Sequence, residues 1–319
     1  MILILTDKDD VHSDVIIDKL IIKKQKYFRL NLDTESLLKT EITFYNNEWE
    51  ICQNQNKIYS KDIKVIYPRT TFVKLSLEEE NENSVDFKIW KNEWNKTLLG
   101  FYNSIRNLKW FIPLKEAYRA ENKYYQFEIA NKLGFNLPKT IVSNNKSKLI
   151  EFLKSNKEVI IKFMNQDFYK IENKFKGIYV NKISLQDLDD FKLSSENPIM
   201  LQTYIEKKFE VRYFVIGNKH LISKIDSQKS KIANVDWRRY DLPNTPHYPM
   251  ESPNDIKEKV KNLMKHLELN YGALDFIVDK NDNWYFLEIN SMGQFLWIED
   301  LTNLPISDEI VNWLIQAKL

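Results

Sequence analysis

The chain has 319 residues, 43% of them hydrophobic, with 47 Lys and Arg against 45 Asp and Glu. That length exceeds what one core usually supports, so two or three subdomains are expected, and the near-zero net charge gives no bulk electrostatic case for nucleic acid or an anionic membrane as partner. Cys52 is the only cysteine, which excludes an internal disulfide and a cysteine-built zinc site and suits the cytoplasm.

In chain order, MILILT is too short for a signal-peptide core or a membrane span and reads as a buried first strand. SDVIIDKLIIKK has helical spacing of Val15, Ile16, Leu20 and Ile21, and KYFRLNL is the next strand. TEITFYNNEWEICQNQNKIYS alternates and turns at Asn46-Asn47, as antiparallel ribbons do, and IKVIYP is a further strand ended by Pro68. Arg69 follows at a strand end, where ligand groups often sit, although a structural salt bridge is its commoner use. LEEENENSVD is a solvated loop. FKIWKNEWNKTLLGFYNSI then places Phe87, Trp90, Trp94, Leu98, Phe101 and Ile105 on one face of a helix as an aromatic buried stripe. Residues 1–112 thus read as a first α/β unit.

A second unit is expected over 113–200. AENKYYQFEIANKLG is helical through Leu133 and stopped by Gly134; TIVS is a strand, SKLIEFLKSN a helix and EVIIKFM a short buried strand. QDFYKIENKFKGIYVNKIS reads as two strands around a Gly177 turn, followed by the helix LQDLDDFK. Between Asn145 and Lys182 stand 9 Lys against 4 Asp and Glu, a local surplus that suits polyphosphate.

The third unit, 201–319, begins within a long β-ribbon, IMLQTYIEKKFEVRYFVIGNKHLISKI, turning at Gly217-Asn218. A long irregular, proline-rich loop follows, of a length that in a compact domain usually means function. The helix DIKEKVKNLMKHLE leads into the hairpin ALDFIV–DKNDN–WYFLEI, and SDEIVNWLIQAKL closes the chain as a helix.

Alternation along a strand puts Glu288 and Asn290 on one face of the hairpin and Leu287 and Ile289 on the other, with Asp275 of the partner strand in reach of the first face. Two carboxylates and an amide oxygen are a donor set for Mg²⁺, which fills its remaining positions with water and nucleotide phosphates. The bland alternative is a solvated hairpin face; Gly293 and two large aromatics directly after Asn290 are an unusual tail for one. Lys162, in an apolar strand, is either a surface residue or a point charge for a phosphate. Arg212 and Arg238 suit bidentate recognition of phosphate or carboxylate, with surface ion pairing as the alternative. Motifs for serine hydrolases, zinc proteases and P-loop nucleotidases are missing from the sequence.

The run ALDFIV, FLEIN, GQFLWIE closely resembles the last part of ATP-grasp ligases, and among them the graspetide synthetases of the microviridin and plesiocin type. The resemblance implies an α/β (α+β) ATP-grasp fold: an N-terminal pre-ATP-grasp domain, a central lid subdomain and a C-terminal antiparallel-sheet subdomain. It implies ATP and Mg²⁺ as cofactors, with Asp275, Glu288 and Asn290 as metal ligands. Lys123 and Lys162 would contact phosphates, and Gly177 would stand in a glycine-poor lid where Lys174 and Lys176 supply charge. Gln202, Thr203, Tyr204 and Ile205 would clamp adenine, and Glu210, rather than Glu206, would hold the ribose. Arg212 and Arg238 would act on the substrate side. The implied partner is a ribosomal precursor peptide, leader and core, whose Asp or Glu side chains are phosphorylated and then joined to Thr, Ser or Lys. The hairpin and helix at 164–193 would dock the leader, and a homodimer is usual in the family. Two other readings stay open: a RimK-like ligase joining amino acids to a peptide or small molecule, and a non-catalytic ATP-binding regulator.

Overall fold

The computed structural model describes residues 1–76, 78–82, 84–164, 168–171, 174–177, 180–190, 197–230 and 244–318. The first unit comprises β1 (Ile2–Thr6), α1 (Val11–Ile22), β2 (Tyr27–Asn31), α2 (Thr34–Leu37), β3 (Glu41–Tyr45), β4 (Glu48–Gln53), β5 (Asn56–Tyr59), β6 (Val65–Pro68), α3 (Val85–Ser104) and β7 (Lys109–Trp110). Strands β2-β1-β6-β7 form a parallel sheet. Because such a sheet is covered on both faces, β1 is apolar throughout. Ile2 and Ile4 enter one core while Leu3 and Leu5 enter another with Phe28, Leu30 and Phe101. Strands β3-β4-β5 are the expected ribbon, and its turn residues Asn46 and Asn47 both have positive φ, which asparagine tolerates. Helix α1 buries Ile16, Ile17 and Leu20 and leaves Ile21 54% exposed, one position off the expected stripe. In α3 only Leu98, Phe101 and Tyr102 are buried; Trp90 and Trp94 are partly covered.

The second unit comprises α4 (Leu114–Ala120), α5 (Lys123–Lys132), β8 (Thr140–Ser143), α6 (Lys146–Ser155), β9 (Val159–Lys162), β10 (Phe168–Ile171), β11 (Lys174–Gly177), β12 (Asn181–Ile183), α7 (Leu185–Asp190) and β13 (Ile199–Thr203). Asn122 restarts the helix after α4 by capping α5, its side chain accepting from the Tyr125 amide, and Gly134, at φ +73°, stops it. Strands β12-β9-β13-β8 form an antiparallel sheet whose Val159, Ile161 and Leu201 pack on Leu149 of α6. The β10–β11 pair sets Gly177 opposite Phe168 at the end of its strand, so it does not form the turn that the sequence suggested.

The third unit comprises β14 (Lys207–Ile216), β15 (Lys219–Ile225), β16 (His247–Pro249), α8 (Asn254–Leu267), β17 (Tyr271–Asp279), β18 (Trp284–Asn290), α9 (Leu296–Thr302) and α10 (Ile306–Lys318). The long ribbon expected from 199 to 225 is divided: β13 belongs to the central sheet, and only β14 and β15 form the hairpin around Gly217. The antiparallel sheet runs β16-β15-β14-β17-β18. Helix α8 buries Ile256, Val260, Leu263, Met264 and Leu267 on one of its faces, at helical spacing. In this unit two elements were not foreseen, the strand β16 inside the supposed irregular loop and the helix α9; in the others the short elements α2, β7 and α4 were likewise missed. The last helix returns to pack on α1, so the largest core joins Ile2, Ile4, Tyr67 and Phe111 of the first unit to Tyr213, Leu274 and Ile310 of the third.

Candidate active site

A cleft opens between the central sheet and the five-stranded sheet. On the central side, β9 alternates, so Ile160 and Lys162 face the cleft while Val159 and Ile161 face the α6 core. Gln202 lies directly opposite Ile160 and shares its face. It is fully buried, and its Nε2 donates to the Thr140 hydroxyl at 2.9 Å. The chain then crosses between sheets through Thr203, Tyr204 and Ile205, all of which line the cleft. The Thr203 and Tyr204 amides donate to the Lys139 and Glu158 carbonyls, each at 2.9 Å. The Tyr204 ring carries the Lys182 ammonium 4.0 Å from its centroid.

On the opposite wall, Glu210 of β14 is 5% exposed and 2.5 Å from the ammonium of Lys207, itself 3% exposed. Glu206 instead pairs with Lys280 on the surface, away from the cleft lining. Lys207 was not singled out from the sequence. Its spacing of three from Glu210 argues against a shared strand face, and only the register shift between Lys207 and Phe209 brings both inward.

Ladder register builds the next layer. Arg212 stands opposite Asp275, and Asp275 opposite Glu288, so the three side chains share one face across three strands. Arg212 Nη1 donates to both Asp275 oxygens, at 3.0 and 2.9 Å, and Nη2 to the Gln294 carbonyl at 3.4 Å. Asn290 Nδ2 reaches Asp275 Oδ2 at 3.5 Å. Lys123, at the start of α5, lies 2.6 Å from Glu288 Oε2. Asp275, Glu288 and Asn290 therefore come together, and two cations of the chain stand against the carboxylates. Leu287 departs from the sequence reading: the pairs Asp275–Glu288 and Phe276–Phe286 leave it as an extra residue in β18, and it lines the cleft beside Glu288 while Ile289 is buried in the core.

The segment after β18 is held by side chains from distant parts of the chain. Arg69 Nη1 donates to the Met292 carbonyl at 2.9 Å, the Tyr271 hydroxyl to the Gly293 carbonyl at 2.7 Å, and Arg212 to the Gln294 carbonyl. Burial pushes the Tyr271 phenol up to about 12, which keeps it a donor. Arg69 also lies 3.6 Å from Asp10, the expected salt bridge. Arg238 lies outside the described residues, as do the side chains of Lys174 and Lys176; Gly177 is placed only through its backbone in β11.

The donor set fits magnesium: two carboxylates that line the cleft in directly paired register, with an amide beside them, all offering hard oxygen ligands. Among the described residues no group of three or more His, Cys, Asp or Glu forms a metal cluster, and no helix is long and apolar enough to cross a membrane.

No family model matches the chain. An uncharacterised protein of Methanocaldococcus jannaschii is 28% identical over 194 residues, 58% of this chain and 44% of that protein, so the match spans less than half of the relative. A RiPP-associated ATP-grasp ligase of Chryseobacterium gregarium, solved with ADP and a leader and core peptide, superposes with a TM-score of 0.88 at 28% identity, covering 99% of this chain and 96% of that one. The macrocyclase MdnC of Microcystis aeruginosa, bound to its precursor peptide, gives 0.84 at 22% identity over 99% and 100% of the two chains. Fold and site together define an ATP-grasp protein. Within that class, the solved structures it resembles at these TM-scores are ATP-grasp ligases of ribosomal peptides.

Proposed function

We propose that the protein is an ATP-dependent carboxylate ligase that closes rings in a ribosomal precursor peptide. The observation that carries this reading is one continuous cleft holding Lys162, the crossover 202–205, the Lys207–Glu210 pair and the Asp275–Glu288 pair. Adenine would lie against the crossover, with the ribose toward Glu210. Lys162 and Lys123 would hold the phosphate chain as point charges. Asp275, Glu288 and Asn290 would hold Mg²⁺, which would supply charge neutralisation for the phosphate chain.

Arg212 would steady the transferring phosphoryl group, which needs positioning and charge rather than a protein nucleophile. A side-chain carboxylate oxygen of the peptide attacks the γ-phosphorus, giving an acyl phosphate and ADP. A hydroxyl or amine of the same peptide then attacks the acyl carbon, phosphate leaves, and the nucleophile's proton is released. Ester or amide forms with net loss of one water from the peptide. Arg238, which lies outside the described residues, is proposed to bind the acceptor carboxylate. We further propose cytoplasmic action, the division at 112 and 200, and leader docking on 164–193.

The test is mass spectrometry of a precursor peptide incubated with the enzyme and ATP. Loss of one water mass per ring with stoichiometric ADP is expected, and Glu288→Gln should abolish both. ATP turnover that rises with free amino acids and not with peptide would reject the reading. Replacing Phe168 and Tyr169 by Ala should weaken leader affinity.

A further inference from the structure

Strand β18 ends the five-stranded sheet, so among the described residues the outer side of its backbone meets the isolated Asn136–Tyr285 bridge but no further strand. Buried backbone groups there need partners from elsewhere. The junction of α4 and α5 provides them as side chains. Gln126, 1% exposed, donates Nε2 to the Ile289 carbonyl at 2.8 Å and accepts the Ile289 amide on Oε1 at 3.0 Å. Its carboxamide thus stands where the peptide group of a sixth strand would be. The same Nε2 donates to the Ala120 carbonyl at 2.7 Å, which ties the carboxamide to the end of α4. Glu121 accepts both the Ser291 amide, at 2.8 Å, and the Ser291 hydroxyl, at 2.6 Å. Together with Lys123 on Glu288, three residues of one junction hold positions 288, 289 and 291.

We infer that Gln126 is a positioning residue for the metal: by fixing the Ile289 peptide it aims Glu288 and Asn290, its neighbours on either side, at one divalent cation beside Asp275. This rests on the reading of those three residues as metal ligands. The need for such a device follows from the bulge at Leu287, which interrupts the β17–β18 ladder one residue before Glu288 and leaves the ligand-bearing end of the strand paired over only Ala273–Asp275. Ligand sets work only when held to within about 0.5 Å, and the partners of the ligands set that precision. Glutamine is the side chain that fits, because the site asks for one acceptor oxygen and two donated hydrogens from a single planar group. A carboxylate would accept from Ile289 but leave the Ile289 and Ala120 carbonyls with no donor; a thioether would serve neither group.

The experiment compares the full-length chain with Gln126→Glu and Gln126→Met. It reads Mn²⁺ binding in the presence of ADP by titration of the free-ion paramagnetic signal, ADP binding in EDTA, hydrogen exchange at the Ile289 amide, and thermal melting. The expected result is Mn²⁺ affinity weaker by about tenfold or more in both variants, with ADP binding in EDTA unchanged. Exchange at Ile289 should accelerate in Gln126→Met and less so in Gln126→Glu, which keeps an acceptor. A variant that melts lower but binds Mn²⁺ as the wild type does overturns the inference; Gln126→Glu serves this comparison if Gln126→Met does not fold. A wild-type chain whose ADP complex binds no Mn²⁺, or binds it equally after Glu288→Gln, overturns the metal reading underneath.

Discussion

Arg212 faces Asp275 directly across two paired strands, with one guanidinium nitrogen 3.0 and 2.9 Å from the two carboxylate oxygens and both residues less than a tenth exposed. The pair includes Asp275, one of the three proposed metal ligands, so the guanidinium lies against that set. Removing one member of a buried pair strands the other, at a cost of about 3–5 kcal/mol, whereas replacing both by apolar groups is often neutral. Arg212→Met should therefore lower the melting temperature sharply, and Arg212→Met combined with Asp275→Leu should recover most of it. Neither protein should turn over ATP. Recovery of stability without activity, read by melting and ADP release, separates the structural from the chemical use of the pair.

Lys207 and Glu210 form a second buried pair at the nucleotide end of the cleft. Lys207→Met takes away the cation beside Glu210 and should cost about 3–5 kcal/mol by the same reasoning. Because Glu210 is proposed to face the ribose, Glu210→Gln should weaken nucleotide binding. The check is the rise in melting temperature on adding ADP, which reports affinity by mass action. It should be smaller in Glu210→Gln than in the wild type.

Gly293 has no room for a side chain. A Cβ there would fall 2.6 Å from the Ala273 Cβ and 2.9 Å from Arg212 Nη2. The first neighbour is packed in the sheet, so the segment 291–294 would have to move, and the guanidinium with it. Gly293→Ala should cut ATP turnover by about tenfold or more, in line with the effect of misplacing a group by 1 Å. Nucleotide affinity, measured by calorimetry, should change little.

His12 is 8% exposed and packs edge-on against Phe295 at 4.7 Å between ring centroids. Burial, helped by the Arg69 guanidinium, lowers its pKa from 6.5 to about 4. The unfolded chain therefore binds a proton more readily than the folded one between these values, and stability falls as pH drops from about 6.5 to about 4. The contribution is full above the upper value and amounts to about 3 kcal/mol. His12→Gln should flatten that window of the stability curve, measured by denaturant titration at a series of pH values.

Much of the site could be read from the sequence because it rests on alternation. Glu210 and Arg212 share a face, as do Glu288 and Asn290, simply by strand parity, and the DKNDN turn brings Asp275 to them. What escaped was whatever breaks parity. The two register shifts, at Lys207–Phe209 and at Leu287, turn Lys207 and Leu287 into the cleft, and nothing in local composition marks a bulge. Contacts far apart in sequence were equally hidden: Gln126 reads as one more polar residue of an amphipathic helix until the edge of β18 is laid beside it. The Gly177 turn was misplaced because glycine is a good turn former but also a usable strand end.

The return of the final helix onto the first gives the molecule an unequal architecture. Ile2, Ile4, Tyr67 and Phe111 are sealed by side chains from the last third of the chain. A fragment cut after the opening α/β layer would carry that oily face into water and should aggregate or bind its missing half. The central sheet, by contrast, closes its own small interior around Leu149, which makes it the portion best suited to excision and independent study.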